Sequence, residues 1–244
     1  MRVDSSPLAV VLAGGLGKRI RQMLADLPKP LAPVAGRPFL EWVVRFLHAQ
    51  GITRVVLSVG YLADKIDEFS KTLQIPGLTV LCVRESMPLG TAGAVVYALK
   101  ALSVESGDVL VCNGDSLALT QLDPLFATFS ESRTGAAMIG VEVPDASRYG
   151  TLASNQDGAL TGFCEKRPGA GLVNAGVYLL RRSELARFPV RTPLSFEYDV
   201  FPSLLRLGVR VKVVSCECPF LDIGTEASLA QANAFVQANT RWFE

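Results

Sequence analysis

The chain has 244 residues, 49% of them hydrophobic, and a formal net charge of +1. That length suits one large domain or two small ones with a substantial buried core. The near-neutral balance excludes a bulk basic footprint for nucleic acid, and no run of about 18 uninterrupted apolar residues exists to cross a membrane. Five cysteines stand at 82, 112, 164, 216 and 218 without a C-x-x-C pair. An odd set lying mostly in apolar runs reads as free thiols in a reducing compartment, not as a disulfide frame or zinc site. The amino terminus lacks a long apolar stretch before a small-residue cleavage site, so no signal peptide is expected and the location predicted is cytoplasmic.

In chain order, Val10-Val11-Leu12-Ala13 predicts a buried strand. Residues 38–50 predict a helix, with an apolar face at Phe39, Leu40, Val43, Val44, Phe46 and Leu47 and a stop at Gly51. The β-branched run 55–59 predicts a strand, 63–73 a helix, 78–83 a strand, 93–102 a helix and 108–112 a strand. This alternation predicts an α/β fold, a mainly parallel sheet with helices on both faces. The second half is less regular. Helices are expected at 122–130, 195–207 and 226–239, and strands at 136–143, around 150–158, at 160–165, 174–180 and 209–216. They are expected to extend the same sheet within one domain over 1–244, whose two halves divide at about residue 120. There is no internal repeat or low-complexity linker.

The first predicted strand breaks into Gly14-Gly15-Leu16-Gly17-Lys18-Arg19, and Pro28-Lys29-Pro30-Leu31 follows. Three glycines in four positions suit a loop where backbone approaches a ligand closely, because a Cβ would block it. Their N–H groups can face phosphate oxygens. Lys18, Arg19, Arg21 and Lys29 add cations on the same side. Together these describe a site for a nucleoside triphosphate. The loop is not a Walker A, since no Gly-Lys-Ser/Thr closes it, and its G-G-x-G spacing is not the dinucleotide fingerprint. Ligands of such sheets bind beyond the carboxyl ends of the strands, where this loop, PLGTAG and NGDS all fall. The single histidine, His48, lies in a predicted helix, which argues against a histidine-built metal or catalytic centre.

The run LAGGLGKR (12–19) followed by PKPLAPVAGRPFLEW (28–42) resembles the sugar-phosphate nucleotidyltransferases. PLGTAGA (88–94), NGDS (113–116), RYGTL (148–152), EKRP (165–168), NAGVY (174–178) and LDIGT (221–225) continue the resemblance in the same order. It implies that a sugar 1-phosphate oxygen attacks the α-phosphorus of a nucleoside triphosphate and that pyrophosphate leaves. Such chemistry needs positioning, cations, a metal and backbone N–H groups more than acid–base catalysis. Arg19 and Lys29 match the family's catalytic cations. Leu12, Ala13, Gly14, Gly15, Gly17 and Gly114 match its nucleotide-binding backbone. Lys18 departs from the usual small or hydroxyl residue, and both a phosphate contact and a solvent-facing role stay open. Asp115 and Asp222 match the pair that holds Mg²⁺ or Mn²⁺. Taken alone, each would read as an aspartate capping a turn beside glycine.

Glu85, Pro88, Gly90 and Thr91 resemble the base-reading stretch. A carboxylate at Glu85 can accept from both N–H donors of guanine, against the plain alternative of an exposed loop charge. Tyr149, Gly150, Glu165, Lys166, Asn174 and Gly176 resemble the sugar-phosphate pocket. Glu197, with Asp199, matches the segment before the last predicted strand, where such residues more often support structure than react. Within the family, the run 26–42 and PLGTAGA look most like guanylyltransferases acting on D-glycero-D-manno-heptose 1-phosphate. Uridylyltransferases of N-acetylmuramate 1-phosphate and guanylyltransferases of mannose 1-phosphate also look similar. A regulatory module on the same fold is the non-enzyme alternative, disfavoured because Arg19, Lys29, Asp115 and Asp222 all persist. The expected partners are GTP and a sugar 1-phosphate for a capsule or lipopolysaccharide glycan, with a homo-oligomer left open.

Overall fold

The computed structural model describes residues 6–17, 19–20, 22–24, 26–164 and 168–244. Its centre is β1 (Leu8–Leu12), an apolar run flanked on both sides by parallel partners. A strand covered on both faces and both edges has no polar side, which explains the unbroken apolar sequence. After a turn at Lys29–Leu31 and a hairpin of β2 (Pro33–Val34) with β3 (Arg37–Pro38), the chain enters α1 (Phe39–Ala49). Then come β4 (Arg54–Val59), α2 (Ala63–Thr72), β5 (Thr79–Arg84), α3 (Thr91–Ala101) and β6 (Val109–Asn113). All the predicted first-half elements form.

The second half holds β7 (Ser116–Ala118), α4 (Asp123–Ala127), β8 (Thr134–Val143), β9 (Thr151–Ser154), β10 (Leu160–Cys164) and β11 (Gly171–Leu180). It closes with α5 (Phe201–Arg206), β12 (Arg210–Cys216), β13 (Phe220–Asp222) and α6 (Glu226–Ala238). The helix expected over 195–207 is divided: a π-helical turn at Phe196–Val200 precedes α5, whose first turn accommodates Pro202. The helix expected over 122–130 ends as a 3₁₀ turn at Thr128–Ser130.

Strands from both halves share one sheet, ordered β5-β4-β1-β6-β11-β8-β12. The β5, β4, β1 and β6 pairings are parallel, whereas β11 runs antiparallel to both β6 and β8. The amino-terminal part of β11 also meets β9, which pairs with β10. The sheet is thus mixed: the strand–helix half supplies the parallel pairs and the irregular half adds mostly antiparallel ones. Alternate residues of β1 serve two cores. Ala9 and Val11 pack with α1, α2 and α6, while Leu8 and Val10 pack with α3 and α5. From β1 the chain moves one way to β4 and β5, then returns to the other side for β6. The crevice beyond the carboxyl end of β1 is therefore the topological switch point.

Candidate active site

Two contiguous hollows occupy that crevice and share Leu12, Gly15 and Thr91 as walls. The first, of about 470 Å³, lies over the ends of β4 and β5. Gly14, Gly60 and Glu85 form its floor, and Leu16, Tyr61 and Met87 line it. The chain packs tightly there. A Cβ on Gly60 would come 2.6 Å from Glu85 Oε1, and one on Gly14 would come 3.0 Å from the same atom. The Leu89 N–H donates to Glu85 Oε2 at 3.2 Å, and Glu85's own N–H is held by the Val59 carbonyl at 2.9 Å. Burial pushes the Glu85 carboxyl above the usual carboxylate range, partly opposed by the Leu89 N–H.

The loop carrying Pro88, Gly90 and Thr91 is pinned from the second half. Leu194 accepts from Ala92 and Gly93 with its carbonyl, and its N–H donates to the Leu89 carbonyl. The Phe196 N–H donates to Thr91 Oγ1 at 3.0 Å. Gly90 is required here: its φ is +78° and a Cβ would strike the Leu194 carbonyl oxygen at 2.4 Å. These external acceptors let α3 begin at Thr91, two residues before the expected start.

The second hollow, about 320 Å³, lies between the ends of β1 and β6 and is lined by Gly17, Arg19, Lys29, Asn113, Asp115 and Gly224 among others. Lys29 sits in the 3₁₀ turn between two prolines, which fix its backbone. Its Nζ donates to Asp115 Oδ2 at 2.6 Å; the lysine side chain is 11% exposed and the aspartate 33%. Gly17, with φ +55°, lies over the Lys29 Cβ. Gly224 marks the approach of the other carboxylate, since a Cβ there would lie 2.5 Å from Asp222 Oδ1 and 3.3 Å from Lys29 Nζ.

What joins Asp115 to Asp222 is a miniature sheet that periodicity does not reveal. β7 and β13 pair antiparallel with Asp222 opposite Ser116, and the Ile223 N–H donates to the Asp115 carbonyl at 3.0 Å. Asp222 Oδ1 also accepts from the Gly224 N–H at 2.6 Å. Thr225 and Ser228 then form a reciprocal cap on α6 that fixes the turn's exit. Among the described residues, Asp115 Oδ1 and Asp222 Oδ2 have no hydrogen-bond partner. Two carboxylates with one oxygen held and one free match what a hard divalent cation takes from a protein when phosphate oxygens supply the rest.

Of the sequence-predicted sugar-side residues, Tyr149 and the Asn174–Gly176 segment lie near this pair. Tyr149 packs edge-on against Phe220 with centroids 5.8 Å apart. Its hydroxyl is pushed up first by burial and then by the charge of Asp222, while Arg148 and Arg19 oppose the shift. Asn174-Ala175-Gly176 lies against the carboxyl end of β6: Ser116 Oγ donates to the Ala175 carbonyl at 3.2 Å, and Gly176, at φ +74°, faces the Asn113 side chain. Asn174 Nδ2 donates to the Tyr178 hydroxyl, which donates to Glu197 Oε1 at 3.0 Å; Ser195 Oγ donates to Glu197 Oε2 at 2.8 Å. Both Glu197 oxygens are thus taken up in a partly buried network that holds Asn174 through Tyr178. Gly150 is exposed, at the entry to β9. Ala13 and Gly114 line neither hollow; their N–H groups bond to the Ser58 and Leu12 carbonyls. Lys18, Glu165 and Lys166 lie outside the described residues. His48 lines neither hollow; it lies in the last turn of α1, with Nδ1 3.3 Å from the Ile52 carbonyl.

Residues 8–239 match the family model described as Nucleotidyl transferase. The chain belongs to this family. It is similar to a D-glycero-alpha-D-manno-heptose 1-phosphate guanylyltransferase of Campylobacter jejuni, 34% identical over 217 residues, which are 88% of this chain and 94% of that one. It is also similar to a mannose-1-phosphate guanylyltransferase of Mycobacterium tuberculosis, 34% identical over 203 residues, 82% of this chain but 56% of that protein. The crystal structure of HddC from Yersinia pseudotuberculosis complexed with GMP-PN superposes with a TM-score of 0.83 at 31% identity, covering 94% of this chain and 99% of that one. Sequence reasoning missed Ser58, Gly60 and Tyr61 of this nucleotidyl transferase's first hollow. The signal was available, because Gly60 follows an apolar strand just as Gly14 does.

Proposed function

We propose that this nucleotidyl transferase moves a guanylyl group from GTP to D-glycero-α-D-manno-heptose 1-phosphate, giving GDP-heptose and pyrophosphate, in the cytoplasm and as one functional unit over 1–244. The observation that carries this reading is the division of one crevice into a hollow lined by Glu85 and a hollow lined by Lys29, Arg19 and Asp115, with Asp222 held behind its Gly224 wall. Such a layout seats a base at one end and reacting phosphates at the other. The guanylyltransferase relatives and the GMP-PN complex of HddC support guanine as the base. The unpaired thiols fit a reducing compartment.

Glu85 Oε1, with no hydrogen-bond partner among the described residues, accepts from guanine, while Leu89 holds Oε2. Leu16 and Met87 flank the base. The Gly14–Gly17 backbone cradles the phosphates, and Arg19 clamps the triphosphate. Lys29, held against Asp115, meets the negative charge that grows as the sugar phosphate oxygen attacks and pyrophosphate departs. Tyr149, Gly150, Asn174 and Gly176 shape the sugar-phosphate side, joined by Glu165 and Lys166, with Glu197 fixing Asn174 through Tyr178. A Mg²⁺ or Mn²⁺ ion bound by Asp115 and Asp222 would supply neutralising charge to the phosphates. Pyrophosphate release measured with GTP, UTP, CTP and dTTP against heptose, mannose and N-acetylmuramate 1-phosphates tests the reading. The heptose with GTP is expected to give the highest kcat/KM; UTP with the muramate would overturn both base and sugar, and GTP with mannose only the sugar.

A further inference from the structure

β12 ends at Cys216, and the chain reaches β13 through Glu217-Cys218-Pro219. In extended backbone, side chains two apart share a face. The C-x-C spacing therefore sets both thiols on one side of this link, and the two Sγ atoms are 3.3 Å apart. A disulfide needs about 2.05 Å, so closure requires an approach of roughly 1.3 Å. Cys218 lines an open groove of about 620 Å³ with Glu142, Leu172 and Glu217, and Cys216 in contact with it is itself only half-buried, so a small oxidant can reach the pair. Hydrogen bonding with Cys218 and Thr120 draws the Cys216 thiol below the usual thiol range, whereas burial pushes Cys82 up and Cys112 up to about 12. A half-buried thiol that gives up its proton more readily than usual, in contact with a second thiol, is the arrangement that reacts and then resolves.

The link also leads to the active site. The Pro219 carbonyl accepts from the Leu119 N–H at 2.9 Å, Phe220 pairs with Ala118 and packs on Tyr149, and Asp222 pairs with Ser116. We propose that Cys216 and Cys218 are a peroxide-sensitive pair whose disulfide stiffens the β12–β13 link and shifts the segment that carries Asp222. In the first step, the Cys216 thiolate attacks one oxygen of hydrogen peroxide. An S–O bond forms, the O–O bond breaks and hydroxide leaves as water after protonation. In the second step, the Cys218 sulfur attacks the Cys216 sulfenic acid. The S–S bond forms, the S–O bond breaks, and the Cys218 proton leaves with the departing oxygen as water. Two thiols are oxidised and one peroxide is reduced to two waters.

The test exposes the reduced full-length protein to hydrogen peroxide, alkylates the remaining thiols and digests with trypsin. The peptide 213–241 contains both cysteines and no other. It is expected to escape alkylation and to be lighter by two hydrogens before Cys82 or Cys164 reacts, and dithiothreitol is expected to reverse this. The Cys218→Ser protein is expected to stop at a dimedone-trappable sulfenic acid on Cys216. Full alkylation of 213–241 at a dose that modifies Cys82, or direct passage to sulfinic acid, would overturn the thiol pair. Amide hydrogen exchange over 220–225 tests the link to Asp222: slower exchange in the oxidised protein is expected, and unchanged exchange would overturn that half. The consequence for activity rests on the nucleotidyltransferase reading. Turnover is expected to fall about tenfold on oxidation and recover on reduction, as a small displacement of a reacting group would produce, and an active enzyme indifferent to the disulfide contradicts it. The mass and exchange measurements decide the thiol chemistry even if the reduced protein transfers no nucleotide.

Discussion

The two hollows of the crevice are built by opposite means. Over β4 and β5, one half-buried carboxylate stands among glycines and apolar side chains, and close packing fixes it: Gly14 and Gly60 lie against Glu85 Oε1. Between β1 and β6, charged groups hold each other, with Lys29 on Asp115 and both aspartates tied to one miniature sheet. Under the proposed function the first arrangement selects the base, because a half-buried carboxylate left without donors is costly. Under the same proposed function the second is where the reaction takes place, its charges meeting phosphates whose charge changes as pyrophosphate leaves. That reading makes recognition and chemistry separable across Leu12, Gly15 and Thr91, the walls the two hollows share.

Substitutions at the reacting end should have the largest effects. Asp115→Asn or Asp222→Asn is expected to lower kcat on the order of a thousandfold, since metal-supplied stabilisation is several kcal/mol; EDTA treatment should have a comparable effect on the unaltered enzyme. Full turnover after metal removal would take the aspartates out of the reaction. Lys29→Ala should lower kcat about a hundredfold, or ~3 kcal/mol, while calorimetry finds GTP affinity nearly unchanged. A raised KM with normal kcat would make Lys29 part of binding and blur the division between the hollows.

Smaller effects are expected at the discriminating end, and of a different kind. Glu85 is held above the usual carboxylate range by burial, so its charge is lost at a higher pH than an ordinary glutamate's as the solution is acidified. The KM for GTP should therefore rise on acidification in the unaltered enzyme, and this limb should vanish in Glu85→Gln. A limb that persists in the variant would belong to another group. Gly60→Ala should be milder still. Its new Cβ displaces the flexible end of Glu85, so the preference for GTP should drop roughly fivefold, about 1 kcal/mol, with kcat for GTP intact. Equal losses for every nucleotide would show that Gly60 shapes the fold and not the base site.

The parallel half of the sheet was legible because its elements are long and periodic: α1 presents Phe39, Leu40, Val43, Val44, Phe46 and Leu47 to one core, as their spacing requires. The Gly-rich loop, Lys29 and the two aspartates were legible as motifs. Their convergence was not. β7 and β13 are three residues each, too short for any alternation to register, yet they set Asp222 beside Asp115. Nor could spacing show that Leu194 and Phe196, about a hundred residues downstream, would hold the Thr91 end of α3. Both devices are hydrogen bonds between residues far apart in the chain, mostly backbone to backbone, which leave no local pattern. The C-x-C pair was present as letters, but the contact between its thiols depends on where β12 stops.

The most direct test of the division is a competition between GTP and UTP at equal concentrations, with heptose 1-phosphate as acceptor, in the unaltered enzyme, Glu85→Gln and Lys29→Ala. The ratio of kcat/KM values is expected to favour GTP by about tenfold to a hundredfold, as one or more unpaired buried donors or acceptors would give. It should narrow in Glu85→Gln and stay constant in Lys29→Ala although every rate falls. A ratio that collapses in Lys29→Ala, or a preference for UTP from the start, would contradict the account.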